Sequence, residues 1–208
     1  MKITQSPGGG SASIGSGTDI HQSLALPALY RGLRTGTQKI LDLGPAVGPN
    51  VAFFGRLPCT LFIADLHEAL FPGTSDGAVR RKDSFDDLLG LELPEDGGFD
   101  LILAWDLLNY LDREEIRSLS RRLADVSSRG AMLFAMITTR RVMPNKPTVF
   151  RILSPDTLSY KLESGVKRAA PMYKEPDLGR VMPEFGVEST FLLRNGMQEY
   201  LFSRDASA

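Results

Sequence analysis

The chain has 208 residues, of which 42% are hydrophobic and 24% are charged, a composition typical of a folded globular protein. Its 24 basic and 25 acidic side chains leave a net charge of −1, so nucleic acid is an unexpected partner. The single cysteine, Cys59, cannot form an internal disulfide and fits a reducing compartment. Since no apolar stretch approaches about 20 residues and no signal-peptide core is present, we expect a cytoplasmic protein with no membrane partner.

The beginning of the chain differs in composition from the rest. Ser6–Gly17 consists almost entirely of Gly and Ser, which cannot bury enough apolar surface to offset the chain entropy. We therefore predict a flexible tail over residues 1–17 and a single domain over residues 18–208. The domain is expected to open with a broken helix over Thr18–Leu33, interrupted at Pro27.

Short β-type runs alternate with helical patterns through the rest of the chain, which is typical of an α/β layered fold. The predicted strands are Lys39–Leu43, Thr60–Ala64, Phe99–Ala104 and Ala131–Ile137. The predicted helices are Asn50–Leu57, a short helix or turn over Ser84–Leu91, a long helix from Asp112 to Gly130, and Ser154–Glu163. Near-continuous apolar strands separated by helices indicate a parallel sheet that is covered on both faces.

Capping signals support two of these helices, and a turn signal adds a hairpin. Asp112 and Glu115 have the spacing of a capping box at the start of the long helix. Ser154 is expected to cap the last helix, with Pro155 in its first turn. Near the end of the chain, Asn195-Gly196 separates two strand-like runs and predicts an antiparallel hairpin of Val187–Arg194 with Met197–Arg204, in which both turn residues have positive φ.

The most informative motif is the first strand and turn, ILDLGPAVGPN, in which Gly44 to Gly48 precede a helix. Such a turn brings backbone N–H groups close to a ligand. Asp65 lies 21 positions after Gly44, at the end of the next strand, where a carboxylate suits the two hydroxyls of a ribose. The pattern predicts a nucleoside-containing ligand. An NAD-dependent dehydrogenase is disfavoured, since its fingerprint needs glycines where Ala46 and Pro49 stand.

From LDLGPAVG onward the chain resembles the class I S-adenosylmethionine-dependent methyltransferases. The resemblance covers roughly Lys39–Ile137 and continues through IADLHEA, RKDSFDDLL, FDLILAWDLLNYLD and GAMLFAMI. It implies a doubly wound, mostly parallel, seven-stranded sheet that ends in the antiparallel hairpin. It also implies S-adenosylmethionine as the cofactor.

The resemblance assigns a role to individual positions of this sequence. Gly44, Pro45 and Gly48 would lie beneath the methionine part of the cofactor, following the motif acid Asp42. The adenosine part would contact Asp65 at the ribose, Leu66 and Asp83 at the adenine, and Ser84 beside Asp83. Trp105 and Asp106 would lie at the mouth near the sulfonium, which makes Asp106 the candidate catalytic residue.

The implied function is methyl transfer to a small-molecule acceptor. The proline-rich segment Thr138–Phe185 is expected to form part of the substrate wall, and no His, Cys or carboxylate cluster has metal-ligand spacing. The alternative is an inactive relative that binds the cofactor or a protein partner. Ala46 favours the alternative, because a methyl group there either crowds the cofactor or strains the turn if the turn needs positive φ. His67 is expected to face solvent.

Overall fold

A computed structural model describes residues 18–33, 38–71, 97–161 and 166–204. The described strands are β1 (Thr18–Gln22), β2 (Gln38–Asp42), β3 (Cys59–Ile63), β4 (Phe99–Trp105), β5 (Ser127–Thr138), β6 (Val142–Pro144), β7 (Phe150–Ser154), β8 (Thr157–Lys161), β9 (Lys167–Ala169), β10 (Phe185–Leu192) and β11 (Met197–Arg204). The described helices are α1 (Leu26–Leu33), α2 (Gly48–Phe54), α3 (Leu66–Leu70), α4 (Arg113–Asp125) and α5 (Glu175–Val181), with a short 3-10 helix over Leu107–Tyr110. The predicted tail and the predicted Ser84–Leu91 element lie outside the described residues.

The centre of the fold is a mixed sheet with the strand order β10-β11-β5-β4-β2-β3. Strands β3, β2, β4 and β5 are parallel, and β11 and β10 continue the sheet in antiparallel pairing. The predicted combination of a parallel sheet with a closing antiparallel hairpin is confirmed. The described residues supply six strands to this sheet where seven were expected, so the seven-stranded description is not confirmed.

Both faces of the sheet are covered, as expected for a doubly wound arrangement. On one face Leu41, Ile102 and Leu133 belong to a buried cluster that includes residues of α3, α4 and α5. On the other face Ile40 and Phe134 belong to a second cluster with residues of α1, α2, β7 and β8. Adjacent strand residues point to opposite faces, which explains the near-continuous apolar runs of the sequence.

Helix α4 begins where the sequence predicts it. The Asp112 carboxylate accepts hydrogen bonds from the backbone N–H groups of Glu114 and Glu115, and the Glu115 side chain accepts from the Asp112 N–H. The predicted end at Gly130 is wrong, because the helix ends at Asp125 and β5 already begins at Ser127. Gly130 lies inside β5 with φ +76, at the place where the register against β4 shifts. Its left-handed backbone therefore belongs to an irregularity of the strand and not to the end of a helix.

Residues 18–33 do not form the predicted broken helix. Thr18–Gln22 is a strand that pairs antiparallel with β8, and helix α1 begins only at Leu26. The Ser23 hydroxyl accepts from the Leu26 N–H at 3.0 Å, which places Pro27 in the first helical turn. Proline is tolerated there, since its missing N–H would have no partner within the helix.

The prediction of a helix over Ser154–Glu163 is wrong, because Ser154 ends β7 and β8 begins at Thr157. The turn between them is formed by Pro155 and Asp156, and the Asp156 carboxylate accepts hydrogen bonds from the hydroxyls of Ser154 and Thr157 at 2.6 and 2.8 Å. Proline suits the first turn of a helix and the second position of a β-turn equally well. The local sequence therefore fitted both structures.

The hairpin of β10 and β11 is confirmed, with a different turn from the one expected. Leu193 and Met197 are hydrogen-bonded across a three-residue loop. Only Gly196 of this loop has positive φ, at +81, whereas positive φ was expected for Asn195 as well. The turn is therefore of the three-residue class, in which one residue with left-handed backbone follows a turn. No helix among the described residues has the length and apolar character needed to cross a membrane.

Candidate functional site

The carboxyl ends of β2 and β4 meet at the point where the order of the strands reverses. The chain passes from β2 outward to β3 and returns to β4 on the other side of β2. In open α/β sheets ligands bind in the crevice at such a reversal. Asp42 and the turn from Gly44 to Gly48 lie at the end of β2, and Trp105 and Asp106 lie at the end of β4. The structure therefore brings the two halves of the predicted site together.

Asp42 is buried beneath this crevice and is held by two donors. Its Oδ1 accepts a hydrogen bond of 2.6 Å from the Trp105 indole Nε1 and one of 2.9 Å from the Gly44 N–H. Burial raises the pKa of Asp42 to about 6, nearby Asp65 adds to the rise, and the two hydrogen bonds oppose it. The carboxylate thus connects the glycine turn to the end of β4.

Trp105 fills the space directly above Gly44. A Cβ atom on Gly44 would lie 2.9 Å from the indole Cδ1, closer than real Cβ contacts, so only glycine fits beneath this ring. The indole is stacked on the Phe150 ring with a centroid distance of 5.6 Å and an interplanar angle of 12°. It is 2% exposed, and its backbone has φ +49, an uncommon conformation for a bulky residue. In this structure the close approach that Gly44 permits is made by Trp105.

The rest of the turn is more open. Pro45 is half-buried, Ala46 is exposed and a Cβ on Gly48 would meet nothing within 4 Å. Ala46 does not have positive φ, so of the two alternatives for this residue the backbone strain is absent. The other alternative, crowding of the cofactor by the Ala46 methyl group, stays a prediction.

Asp65 follows β3 and caps helix α3. Its backbone has φ +42, and its Oδ1 accepts from the Glu68 N–H at 3.1 Å. The side chain is half-buried, so Asp65 combines a capping role with a partly accessible carboxylate. The next residue, Leu66, is completely buried in the core, and its proposed contact with adenine stays a prediction. Asp83 and Ser84 lie outside the described residues.

His67, expected at the surface, is buried at 9% exposure. Burial lowers the pKa of His67 to about 4. Neither ring nitrogen has a hydrogen-bond partner among the described residues. The prediction of a solvent-facing histidine is wrong because the short helix α3 turns Leu66, His67 and Leu70 toward the interior.

A cavity of about 230 Å³ lies beside the crevice, at the carboxyl ends of β4 and β5. Asp106 lines it and is 3% exposed, with Oδ1 and Oδ2 lying 3.1 and 3.0 Å from the Thr148 N–H that donates to them. Burial raises the pKa of Asp106 to about 7, while the hydrogen bonds from Thr148 oppose the rise. The full lining consists of Asp19, Asp106, Asn109, Tyr110, Thr138, Arg140, Val142, Met143, Pro144, Thr148, Phe150, Tyr160, Lys167, Asn195 and Met197.

Comparison with known proteins identifies the fold of the chain. No protein-family model matches the chain, and no curated protein matches it. The solved PH0226 protein of Pyrococcus horikoshii is 14% identical, with a TM-score of 0.52 over 86% of this chain and 88% of its own. The chain has a Rossmann-like α/β fold.

Solved S-adenosylmethionine-dependent methyltransferases are also among the similar structures. One from Clostridium acetobutylicum is 11% identical, with a TM-score of 0.48 over 86% of this chain and 88% of its own. The 1,6-didemethyltoxoflavin-N1-methyltransferase of Burkholderia thailandensis is 12% identical, with a TM-score of 0.47 over 88% of this chain and 77% of its own.

The Rossmann-like crevice fits S-adenosylmethionine only in part. Asp65 is half-buried and its Oδ1 accepts from the Glu68 N–H, which leaves its second oxygen as the acceptor for a ribose hydroxyl. At the other end the space above Gly44 is taken by the Trp105 indole, so the methionine part does not fit while that side chain stays in place. No three or more His, Cys, Asp or Glu side chains among the described residues form a group that could hold a metal ion.

Two residues that organise the site were missed by the sequence analysis. The Asn109 amide donates to the carbonyls of Asp106 and Met136 at 2.8 Å and accepts from the Thr138 N–H at 2.9 Å, which clamps β4 to β5. A single amide among apolar residues in LLNYL was the available signal. Asn50 joins α2 to β7 by donating to the Phe150 carbonyl and accepting from the Ile152 N–H, a pairing across 100 positions that no local pattern indicates.

Proposed function

We propose that this protein is an S-adenosylmethionine-dependent methyltransferase with a small-molecule acceptor. The observation that carries the proposal is the cavity of about 230 Å³ beside Asp106, next to the strand-order reversal at the carboxyl ends of β2 and β4. In this proposal Asp65 binds the ribose, as the resemblance implies, and the acceptor occupies the cavity beside Asp106. A cavity of this size suits a small molecule rather than a macromolecule.

The proposal requires the Trp105 side chain to move. The indole lies on Gly44 and donates to Asp42, so the methionine part of the cofactor enters only after both contacts break. Pro45 and Gly48, farther along the turn, are assigned to the same end of the cofactor. Asp83 and Ser84 keep their proposed places at the adenine.

A second candidate is a relative that performs no methyl transfer. The observation that favours it is again Trp105, whose ring is buried between Gly44 and Phe150 and completes the core of the crevice. If the Trp105 ring never leaves this position, the contact only stabilises the fold at the ends of β2 and β4, and the protein acts by binding a partner.

The fluorescence of Trp105 separates the two candidates, since it is the only tryptophan of the chain. With S-adenosylhomocysteine, the methyltransferase proposal predicts an emission shift as the indole leaves its buried position. A ligand at 100 times its dissociation constant also adds about 2.7 kcal/mol to the unfolding free energy, which raises the melting temperature by about 5–10 °C. Unchanged emission and melting would remove the cofactor assignment. Binding without transfer of labelled methyl to any component of a cell extract would favour the inactive relative.

Asp65→Asn tests the ribose assignment with its capping role preserved. Asparagine keeps a side-chain oxygen for the Glu68 N–H and tolerates left-handed backbone, while the second acceptor becomes a donor. S-adenosylhomocysteine affinity should fall about tenfold or more, since a hydroxyl donor is left unpaired. Glu68→Gln, an exposed change on the same helix, is the control and should bind normally. Equal affinity in Asp65→Asn and the control would refute the assignment.

A further inference from the structure

The cavity next to Asp106 has aromatic walls. Tyr110, Phe150 and Tyr160 all line it. Phe150 is held from two sides, by the stacked Trp105 ring and by Tyr160 at a centroid distance of 5.4 Å. Tyr110 is fixed by donating from its hydroxyl to the Lys146 carbonyl at 2.6 Å. Rings fixed in this way offer flat apolar surfaces to another ring at little entropic cost.

Two basic side chains, Arg140 and Lys167, lie on the lining of the same cavity. Neither has an ion-pair partner among the described residues. Arg140 lies along the hairpin turn, where a Cβ on Gly196 would come within 2.6 Å of its Nε and 2.9 Å of its Cγ. Lys167 stands opposite Pro144 in the β6–β9 ribbon, and the next residue, Arg168, lies 5.9 Å from the Tyr110 ring centroid.

The two acids of the lining already have donors. Asp19 lies 3.4 Å from the Tyr160 hydroxyl, which donates to it. Both oxygens of Asp106 are within hydrogen-bond distance of the Thr148 N–H, and its raised pKa of about 7 leaves this buried carboxyl partly neutral at neutral pH. The two basic side chains therefore exceed Asp19 and the partly neutral Asp106 in charge, and the lining has a small excess of positive charge.

We infer that this cavity binds a small aromatic acid, with its ring between the aromatic walls and its carboxylate at Arg140 and Lys167. A cavity of about 150 Å³ holds benzene, so about 230 Å³ accommodates one substituted ring. Guanidinium and ammonium groups form strong charge-assisted hydrogen bonds with carboxylate. The inference deepens the proposed function by naming the class of the methyl acceptor, and only that part of it rests on the proposed function. Binding of an aromatic acid does not depend on methyl transfer.

The test measures the binding of benzoate, benzamide, benzylamine and acetate by calorimetry without cofactor. Benzoate should bind at least tenfold more tightly than each of the other three, because only benzoate has both the ring and the anion. Arg140→Gln should weaken benzoate binding about tenfold, and Lys167→Gln should weaken it in the same direction. Arg141→Gln is the matched control, an exposed arginine at the next position that does not line the cavity.

Two kinds of result would overturn the inference. One is benzamide, benzylamine or acetate binding as tightly as benzoate, and the other is benzoate affinity unchanged in Arg140→Gln. Melting curves of each variant show whether it is folded, and the exposed position of Arg140 makes a folded variant the expected outcome. The S-adenosylhomocysteine measurement is separate. Benzoate binding without cofactor binding refutes the methyltransferase and keeps the aromatic-acid site, whereas cofactor binding without benzoate binding does the reverse.

Discussion

The hydrogen bond from Trp105 to Asp42 should be a major stabilising contact at the crevice. Its two atoms are 2.6 Å apart and both side chains are almost completely buried. Hydrogen bonds to charged groups contribute about 1.5–3 kcal/mol. Trp105→Phe keeps a ring against Phe150 but removes the donor. We expect it to lower the unfolding free energy by about 2 kcal/mol, and the melting temperature by about 4–8 °C.

A double-mutant cycle isolates this contact from the change in ring size. Asp42→Ala, which removes the acceptor, is combined with Trp105→Phe, and unfolding in urea is followed by circular dichroism, since the only tryptophan is lost. We expect a coupling of about 1–2 kcal/mol. Asp100→Ala is the control, because Asp100 accepts from the Lys39 N–H. Additivity of the Asp42 and Trp105 changes to within about 0.5 kcal/mol would refute the reasoning.

The coupling should also depend on pH. The pKa of Asp42 is raised from 3.8 to about 6, so the folded state binds more protons than the unfolded state between these values. This contribution to stability is complete below about pH 4 and is lost as pH rises through about 6. Trp105→Phe removes a bond that favours the charged form, so its destabilisation should be larger at pH 8 than at pH 5. Equal losses at both pH values would contradict the assignment of Asp42 as the acceptor.

Three further changes test other parts of the structure. The pKa of Asp106 is raised from 3.8 to about 7, so its contribution to stability is present below about pH 4 and disappears as pH rises through about 7. Asp106→Asn should therefore flatten the decline in melting temperature between pH 5 and 8. An unchanged decline would be inconsistent with the burial of this carboxyl. Gly196→Val should destabilise the protein by more than about 1 kcal/mol, because valine resists φ +81 and its Cβ would collide with Arg140. Urea unfolding measures the loss, and the control Gly48→Val, at an open position, should lower the unfolding free energy by less. Glu199→Ala should lower the unfolding free energy by about 2–4 kcal/mol. The buried Glu199 carboxylate accepts from the N–H groups of Leu24 and Ala25, which directly precede α1, and these donors would lose their partner. A melting temperature within about 2 °C of wild type would argue against this role of Glu199.

Local sequence was enough to predict the parallel strands and the C-terminal hairpin. Strands β2, β3 and β4 are each within one residue of their predicted bounds, because buried strands need continuous apolar runs. The start of α4 was equally readable, since Asp112 and Glu115 complete their bonds within one helical turn. Asp42, Gly44, Asp65 and Asp106 were likewise predicted at or just after the ends of strands, and they lie there in the structure.

Contacts between distant segments decided what the local sequence left open. Residues 18–22 and 157–161 became strands because they pair with each other across more than 130 positions, and Pro155 suited a helix as well as a turn. The surroundings of Gly44 were settled in the same way, since the ring above it comes from Trp105 and is held by Phe150. A glycine in a turn indicates only that something approaches closely. Which group approaches depends on how the sheet brings the ends of β2 and β4 together, and that is a property of tertiary packing.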